Sequence, residues 1–198
     1  MDAGAVGLLR EILASTGWLE RTRELGRALR ATRSPGGLLL VGDPEHEPWH
    51  LAAHLDDESR LSGLAQLAPT LVRWSPPPDA PPHLRVGIDR VAAARRGETL
   101  FVVAESAAPV PLLERVSDAR RIGATVLALD GGDGELASLA HDVISVRHGD
   151  AVTFDGVQHL VSTAAGEAPP AAGPVRRPGL RERLARLADR VSGPQIGD

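Results

Sequence analysis

Two pairs of residues in this 198-residue chain have a spacing that could do chemistry: His50 with His54, and Asp155 with His159. On an α-helix, residues four apart lie above one another on one face, so each pair can offer two donor atoms to a single ion, as the histidines of an H-E-x-x-H helix do. Two imidazoles, a carboxylate and a third imidazole make a sound tetrahedral set for zinc. The competing reading makes His50 and His54 partly exposed polar residues on a surface helix, and spacing alone leaves both open. His46 extends the interval backwards, but Pro48 suits the first turn of a helix and leaves His46 outside it. His83, His141 and His148 have no partner at a telling interval.

Other chemistry is narrower. There is no cysteine, which removes thiolate nucleophiles, disulfides and cysteine-ligated metals, and every basic side chain is arginine, which removes Schiff-base mechanisms. No G-x-S-x-G elbow supports a serine nucleophile. Glu105, at the end of an apolar run, is the candidate proton-transfer base if the protein is an enzyme. "DGGDGE" from Asp130 lacks the twelve-residue ligand order of a calcium loop and reads as a turn. Trp49 and Trp74 read as packing residues rather than a stacking platform.

The elements that must position these groups follow from periodicity. Short continuous apolar runs of the kind found in buried parallel strands occupy residues 38–42, 71–74, 99–105, 125–130 and 142–147. Helical patterns lie at residues 6–33, with Gly17 as a break or kink, from 48 to 55 or beyond, and at 83–96, 110–122, 134–140 and 153–167. Strands alternating with helices imply right-handed crossovers and an α/β fold, a three-layer α/β/α sandwich around a five-stranded parallel sheet. Ligands of such sheets bind beyond the carboxyl ends of the strands. That places the candidate ligand-binding residues Gly42, Asp43 and Glu45 in the first turn, Ser106 in the second and Asp130 in the third.

The expected organisation is one α/β domain over residues 1–167 with an N-terminal helical segment, a Pro/Gly-rich linker over 168–179, and a C-terminal amphipathic helix over 180–192. That helix carries Leu180, Leu184, Leu187 and Val191 on one stripe, with acids among its arginines, so it suits docking on this subunit or a neighbour better than a membrane surface. A net charge of −4 without a concentrated basic stretch argues against nucleic acid and anionic membranes as partners. The N-terminus has neither the charge pattern of a signal peptide nor a membrane span, and the expected location is cytoplasmic.

The order of motifs resembles the sugar isomerase (SIS) domain family, in its phosphoheptose isomerase and replication-initiator-associating branch. "GDPEHEPWHLAAHL" stands where that branch has a G-N-G-G-S loop followed by H-x-A-x-E-L, with His50 and Ala52 matching. "GETLFVVAESAAPV" stands where it has G-D-x-L-L-x-x-S-T-S-G-N-S, and the strand ending in "LDGGDG" corresponds to T-G-x-D-G-G. The resemblance covers about residues 5–167 with sparse identities. It implies strand order 2-1-3-4-5 and a carbohydrate derivative as ligand. It also implies a homo-oligomer, dimer or tetramer, with the N-terminal helix and C-terminal stripe as self-association surface. For zinc it implies His50 as first ligand, His54 in place of a glutamate, Asp155 near the third position, and His159 at the fourth if the last helix is shifted by about a turn.

The departures concern charge. The family grips a sugar phosphate with hydroxyls and backbone N–H groups at helix N-termini. This chain offers Asp43, Glu45 and Glu47 in the first loop, and in the second only Ser106 beside Glu105. Each carboxylate about 8 Å from a phosphate opposes it by about 2 kcal/mol at an effective dielectric near 20. Three functions are compatible with these residues: a non-catalytic or divergent SIS-like protein that binds a carbohydrate derivative or acts as an oligomeric adaptor, a metal-dependent sugar isomerase or lyase, and a zinc-stabilised structural subunit.

Overall fold

The computed structural model describes residues 17–167. The elements are α1 (Trp18–Arg30), β1 (Leu38–Gly42), α2 (Trp49–Ser62), β2 (Thr70–Val72), α3 (Asp89–Ala92), β3 (Thr99–Ala104), α4 (Val110–Ile122), β4 (Thr125–Asp130), α5 (Gly134–Leu139), β5 (Asp142–Ser145) and α6 (Phe154–Gly166), with single 3₁₀ turns at Ala65–Leu67 and Pro82–Leu84. The five strands are parallel, in the order β2-β1-β3-β4-β5.

The apolar runs are continuous because both faces of the sheet are covered, and successive side chains feed opposite layers. Leu38 and Leu40 join Phe101, Val103, Leu127 and Leu129 in a core roofed by α1, α2 and α6. Leu39 and Val41 join Leu100, Val102, Val126 and Ala128 beneath α3, α4 and α5. Register ties the layers: Leu40 pairs with Leu71 on one side and Phe101 on the other, and Phe101 pairs with Leu127.

After β1 the chain turns into α2 on one face of the sheet, whereas after β3 it turns into α4 on the opposite face. The two connections therefore diverge, and a crevice opens between the ends of the first and third strands.

Helix α6 is packed against both α1 and α2. A Cβ on Gly26 of α1 would lie 2.7 Å from the carbonyl carbon of Ala164, so that crossing depends on a bare glycine. Arg30 then clamps the far end of α6 by donating to the Ala164 carbonyl and, at 3.2 Å, to that of Ala165. These contacts fix which face of α6 looks at α2.

Two expectations from sequence need correction. The helical pattern over residues 83–96 forms only a 3₁₀ turn and the single turn α3, because the chain between them is extended: Arg73 N donates to Val86 O at 2.8 Å, in an isolated parallel bridge between Arg73 and Gly87. Strand β2 ends at Val72 rather than Trp74, since Arg73 and Trp74 are drawn to Glu47. Gly17, with φ of +73°, stands at the start of α1, in keeping with the break expected there. The linker at 168–179, the helix at 180–192 and the N-terminal residues before 17 lie outside the described residues. No helix among the described residues is long and apolar enough to cross a membrane.

Candidate metal centre and adjoining cleft

Helix α2 sends Leu51 and Leu55 into the core. His50 and His54, each one residue before a buried leucine, share the flank that faces α6. Helix α6 brings His159 to the same place. The three imidazole centroids are 4.4 to 4.6 Å apart, with His159 edge-on to both partners. His50 Nε2 and His54 Nε2 are 2.7 Å apart, and one potential ligand atom from each of the three residues lies within 4.8 Å of the others. Tetrahedral zinc with Zn–N bonds of about 2.0–2.1 Å needs nitrogens roughly 3.3 Å apart, inside that range.

Two observations bear on the fit of an ion. His159 Nδ1 is buried without a hydrogen-bond partner, a state that costs about 1–3 kcal/mol for a polar group. Burial, and then the neighbouring His54 and His50, lower the His159 pKa to about 4 against a smaller opposing effect of Asp155. At neutral pH this imidazole is uncharged, the form that binds metal. A trio of imidazoles with an orphaned ring nitrogen fits a divalent cation by donor type and by reach.

Asp155 is not in the trio. Its Oδ1 accepts from Gln158 Nε2 at 3.0 Å, and it acts on His159 only through its charge. A turn separates Asp155 from His159 on α6, so one helix face brings His159 to the histidines of α2 while Asp155 lines the neighbouring cleft.

That cleft, about 820 Å³, opens beyond the carboxyl ends of β1 and β3. Its walls are the turn after β1, the segment Arg73–Ser75 after β2, Val103 and Glu105 at the end of β3, and the first turns of α6. His50 belongs to both the cleft wall and the histidine trio. Glu105 and Ser106 are exposed; Glu105 lines the cleft and Ser106 does not. Trp49 and Trp74, read from sequence as packing residues, both line it, and Trp49 is 41% exposed. Trp74 is oriented by its ring N–H, which donates to Gly42 O at 2.9 Å.

The remaining candidates are part of the turns. Asp43 is buried and its Oδ1 accepts from the N–H groups of Glu45 and His46, both at 2.8 Å, so it folds the first turn around its own carboxylate. Gly42 lets that turn pass: a Cβ there would lie 2.2 Å from the His46 carbonyl oxygen. Glu45 is exposed on the cleft wall. Asp130 is fully buried, holds Gly132 N at 2.8 Å and does not reach the cleft, while Asp133 caps α5. Asp133 also accepts from Ala108 N at 2.8 Å, tying down the second turn. His141 is structural, its Nδ1 accepting from Val126 N at 3.0 Å.

Sequence reasoning passed over Arg73 and Gln158 and took Glu47 only as one more negative charge of the first loop. The signal for the meeting of Glu47 with Arg73 lies in the strand order: with β2 beside β1, the residues after each strand are brought together. Glu47 Oε2 accepts from Arg73 Nε at 2.8 Å and Glu47 Oε1 from Trp74 N at 3.3 Å.

No family model matches the chain, and no curated protein matches it. Among solved structures it is similar to a proposed phosphosugar isomerase from Silicibacter pomeroyi DSS-3, with a TM-score of 0.55, 16% identity, and coverage of 91% of this chain and 54% of that one. A proposed sugar binding protein from Salmonella typhimurium LT2 matches with a TM-score of 0.48 and 16% identity, covering 95% of this chain and 55% of that one. The chain thus spans about half the length of these two structures. At this identity the likeness is one of fold: the described residues form an α/β sandwich with a parallel sheet ordered 2-1-3-4-5, similar to the phosphosugar isomerase structure.

Proposed function

We propose that the protein binds a carbohydrate derivative in the cleft beyond β1 and β3, beside a divalent metal, most simply zinc, held by His50, His54 and His159. The observation that carries this reading is the shared position of His50, which belongs to the histidine trio and also lines the cleft. A purely structural ion would have no reason to abut an 820 Å³ opening at the switch point of the sheet. The carbohydrate class is lent by the described activity of the phosphosugar isomerase neighbour. When bound, a three-histidine ion keeps a fourth position through which it can polarise a ligand oxygen.

The usual grip on a phosphate has been taken apart. In the first turn Asp43 already occupies the N–H groups of Glu45 and His46. At the second, Asp133 occupies Ala108 N, and Pro109 and Pro111 have no N–H to give at the start of α4. The ligand of this reading is therefore a carbohydrate derivative without a phosphate.

A second reading, a metal-dependent isomerase or lyase, is favoured by Glu105, an exposed carboxylate that lines the same cleft as His50 and could serve a bound polyol as base. Metal analysis of the purified protein combined with a thermal-shift screen of neutral sugars, amino sugars and sugar phosphates tests the primary reading. Stoichiometric metal and stabilisation by a non-phosphorylated sugar support it. Absence of both would end it.

A further inference from the structure

The cleft is lined by four carboxylates, Glu45, Glu47, Glu105 and Asp155, and by one guanidinium, Arg73. That guanidinium already has its counter-ion. Its Nε donates to Glu47 Oε2 at 2.8 Å, its carbon lies 4.8 Å from the centroid of the Trp49 ring, and the side chains of Arg73 and Glu47 are only 18% and 14% exposed. Glu47 is held in turn by Trp74 N, and Trp74 by Gly42 O. The pair thus stitches the turn after β1 to the segment after β2 at the mouth of the cleft.

We propose that Glu47 is a specificity-determining residue: it is the internal counter-ion of Arg73, and by neutralising the one arginine of the cleft it makes the site select neutral or amine-bearing sugar-like ligands over anionic ones. The proposal rests on the ligand-binding reading above and deepens it by naming the charge class of the ligand. An anion that took the Nε–H of Arg73 would have to displace a largely buried carboxylate and leave it without a partner, and one that approached the outer nitrogens would meet a charge that Glu47 already cancels. With the pair intact, Glu45, Glu105 and Asp155 have no arginine partner among the described residues; their three charges exceed the two of a divalent ion on the histidine trio, so the lining stays net negative and favours an ammonium group on the side of the cleft away from the trio. Trp49 and Trp74 add ring surface on which a sugar or a cation can rest.

The test is Glu47→Gln. Glutamine keeps one of the two acceptor oxygens, so the shorter bond from Arg73 Nε can be retained while the bond from Trp74 N and the charge are lost; an unchanged far-UV spectrum and Tm check that the turn survives. Binding of glucosamine, glucose, glucose 6-phosphate and inorganic phosphate is measured by calorimetry for wild type, Glu47→Gln and Glu47→Gln/Arg73→Met. The expected wild-type order is glucosamine, then glucose, with glucose 6-phosphate at least tenfold weaker than glucosamine. In Glu47→Gln the affinity for glucose 6-phosphate and inorganic phosphate rises at least tenfold, and the double variant loses that gain. If wild type takes glucose 6-phosphate as well as glucosamine, or Glu47→Gln gains no phosphate affinity, the proposal is overturned. If wild type binds no sugar while Glu47→Gln still gains phosphate binding, the counter-ion role stands and the carbohydrate-binding reading falls.

Discussion

The imidazoles of His50 and His159 stand 4.6 Å apart, edge to face, although they come from α2 and α6, the second and the last α-helix of the described chain. With His54 they surround a point that an ion can fill. Zinc at a hundredfold excess over its Kd would stabilise the fold by about 2.7 kcal/mol, and a domain of this size shifts by about 2–4 °C per kcal/mol. The Tm is expected to rise by roughly 5–10 °C with zinc and to fall back with chelator. His50→Ala and His159→Ala should each abolish the rise; unchanged metal content in either variant would count against the trio.

Asp43 organises the first turn through two N–H groups at 2.8 Å. Asp43→Ala leaves both donors without their acceptor and should cost about 1–3 kcal/mol in urea unfolding. Asp43→Asn keeps an acceptor oxygen and should lose less than the alanine variant. Equal losses would mean that the charge of Asp43, rather than its hydrogen bonds, holds the turn.

Gly131 marks the same kind of constraint at the end of β4, where a Cβ would lie 2.0 Å from the backbone oxygen of Glu105. Because the clash is with backbone, no side-chain rotation relieves it. Gly131→Ala should destabilise by about 1–3 kcal/mol and shift the Glu105 segment of the cleft wall. Denaturant midpoints and amide chemical shifts at residues 104–106 would report the two effects.

The entry to β3 provides a pH test. Burial alone would raise the Glu98 pKa, but hydrogen bonds from Arg90 and from Arg95 N, with the charges of both arginines, outweigh it and hold the carboxyl below its ordinary 4.5. A carboxylate whose pKa is lowered on folding contributes stability that is whole above the unfolded value and lost as pH falls through the folded one. Glu98→Gln should therefore lower stability by roughly 1 kcal/mol at neutral pH. It should also flatten the part of the stability curve below about pH 4.5; parallel curves for variant and wild type would show that the pair is not coupled to folding.

Much of the architecture was legible because it rests on short-range rules. The runs at β1 and β4 are apolar without interruption, and the helix closed by Gly123 occupies the span its periodicity marks, Val110–Ile122. Residues 83–96 misled because helical spacing of apolar residues there competes with an extended bridge to Arg73, a partner remote in sequence. Trp74 packs against the core as expected and also lines the cleft, whereas Trp49 is 41% exposed: which face a large ring covers depends on what the neighbouring strand brings to it, here Arg73.

By itself the sequence determined the alternation of strands and helices, the buried parallel sheet, the turns beyond the strand ends, and the i, i+4 pairing of His50 with His54, since all of these follow from periodicity along the chain. Tertiary structure alone decided that His159 rather than Asp155 joins those histidines, because that depends on how α6 is rotated by Gly26 and Arg30 of α1. It alone decided that Glu47 is occupied by Arg73 and that Asp43 turns inward. A carboxylate in a sequence is only a charge; its neighbours in space settle whether it repels a ligand, caps a turn or cancels an arginine.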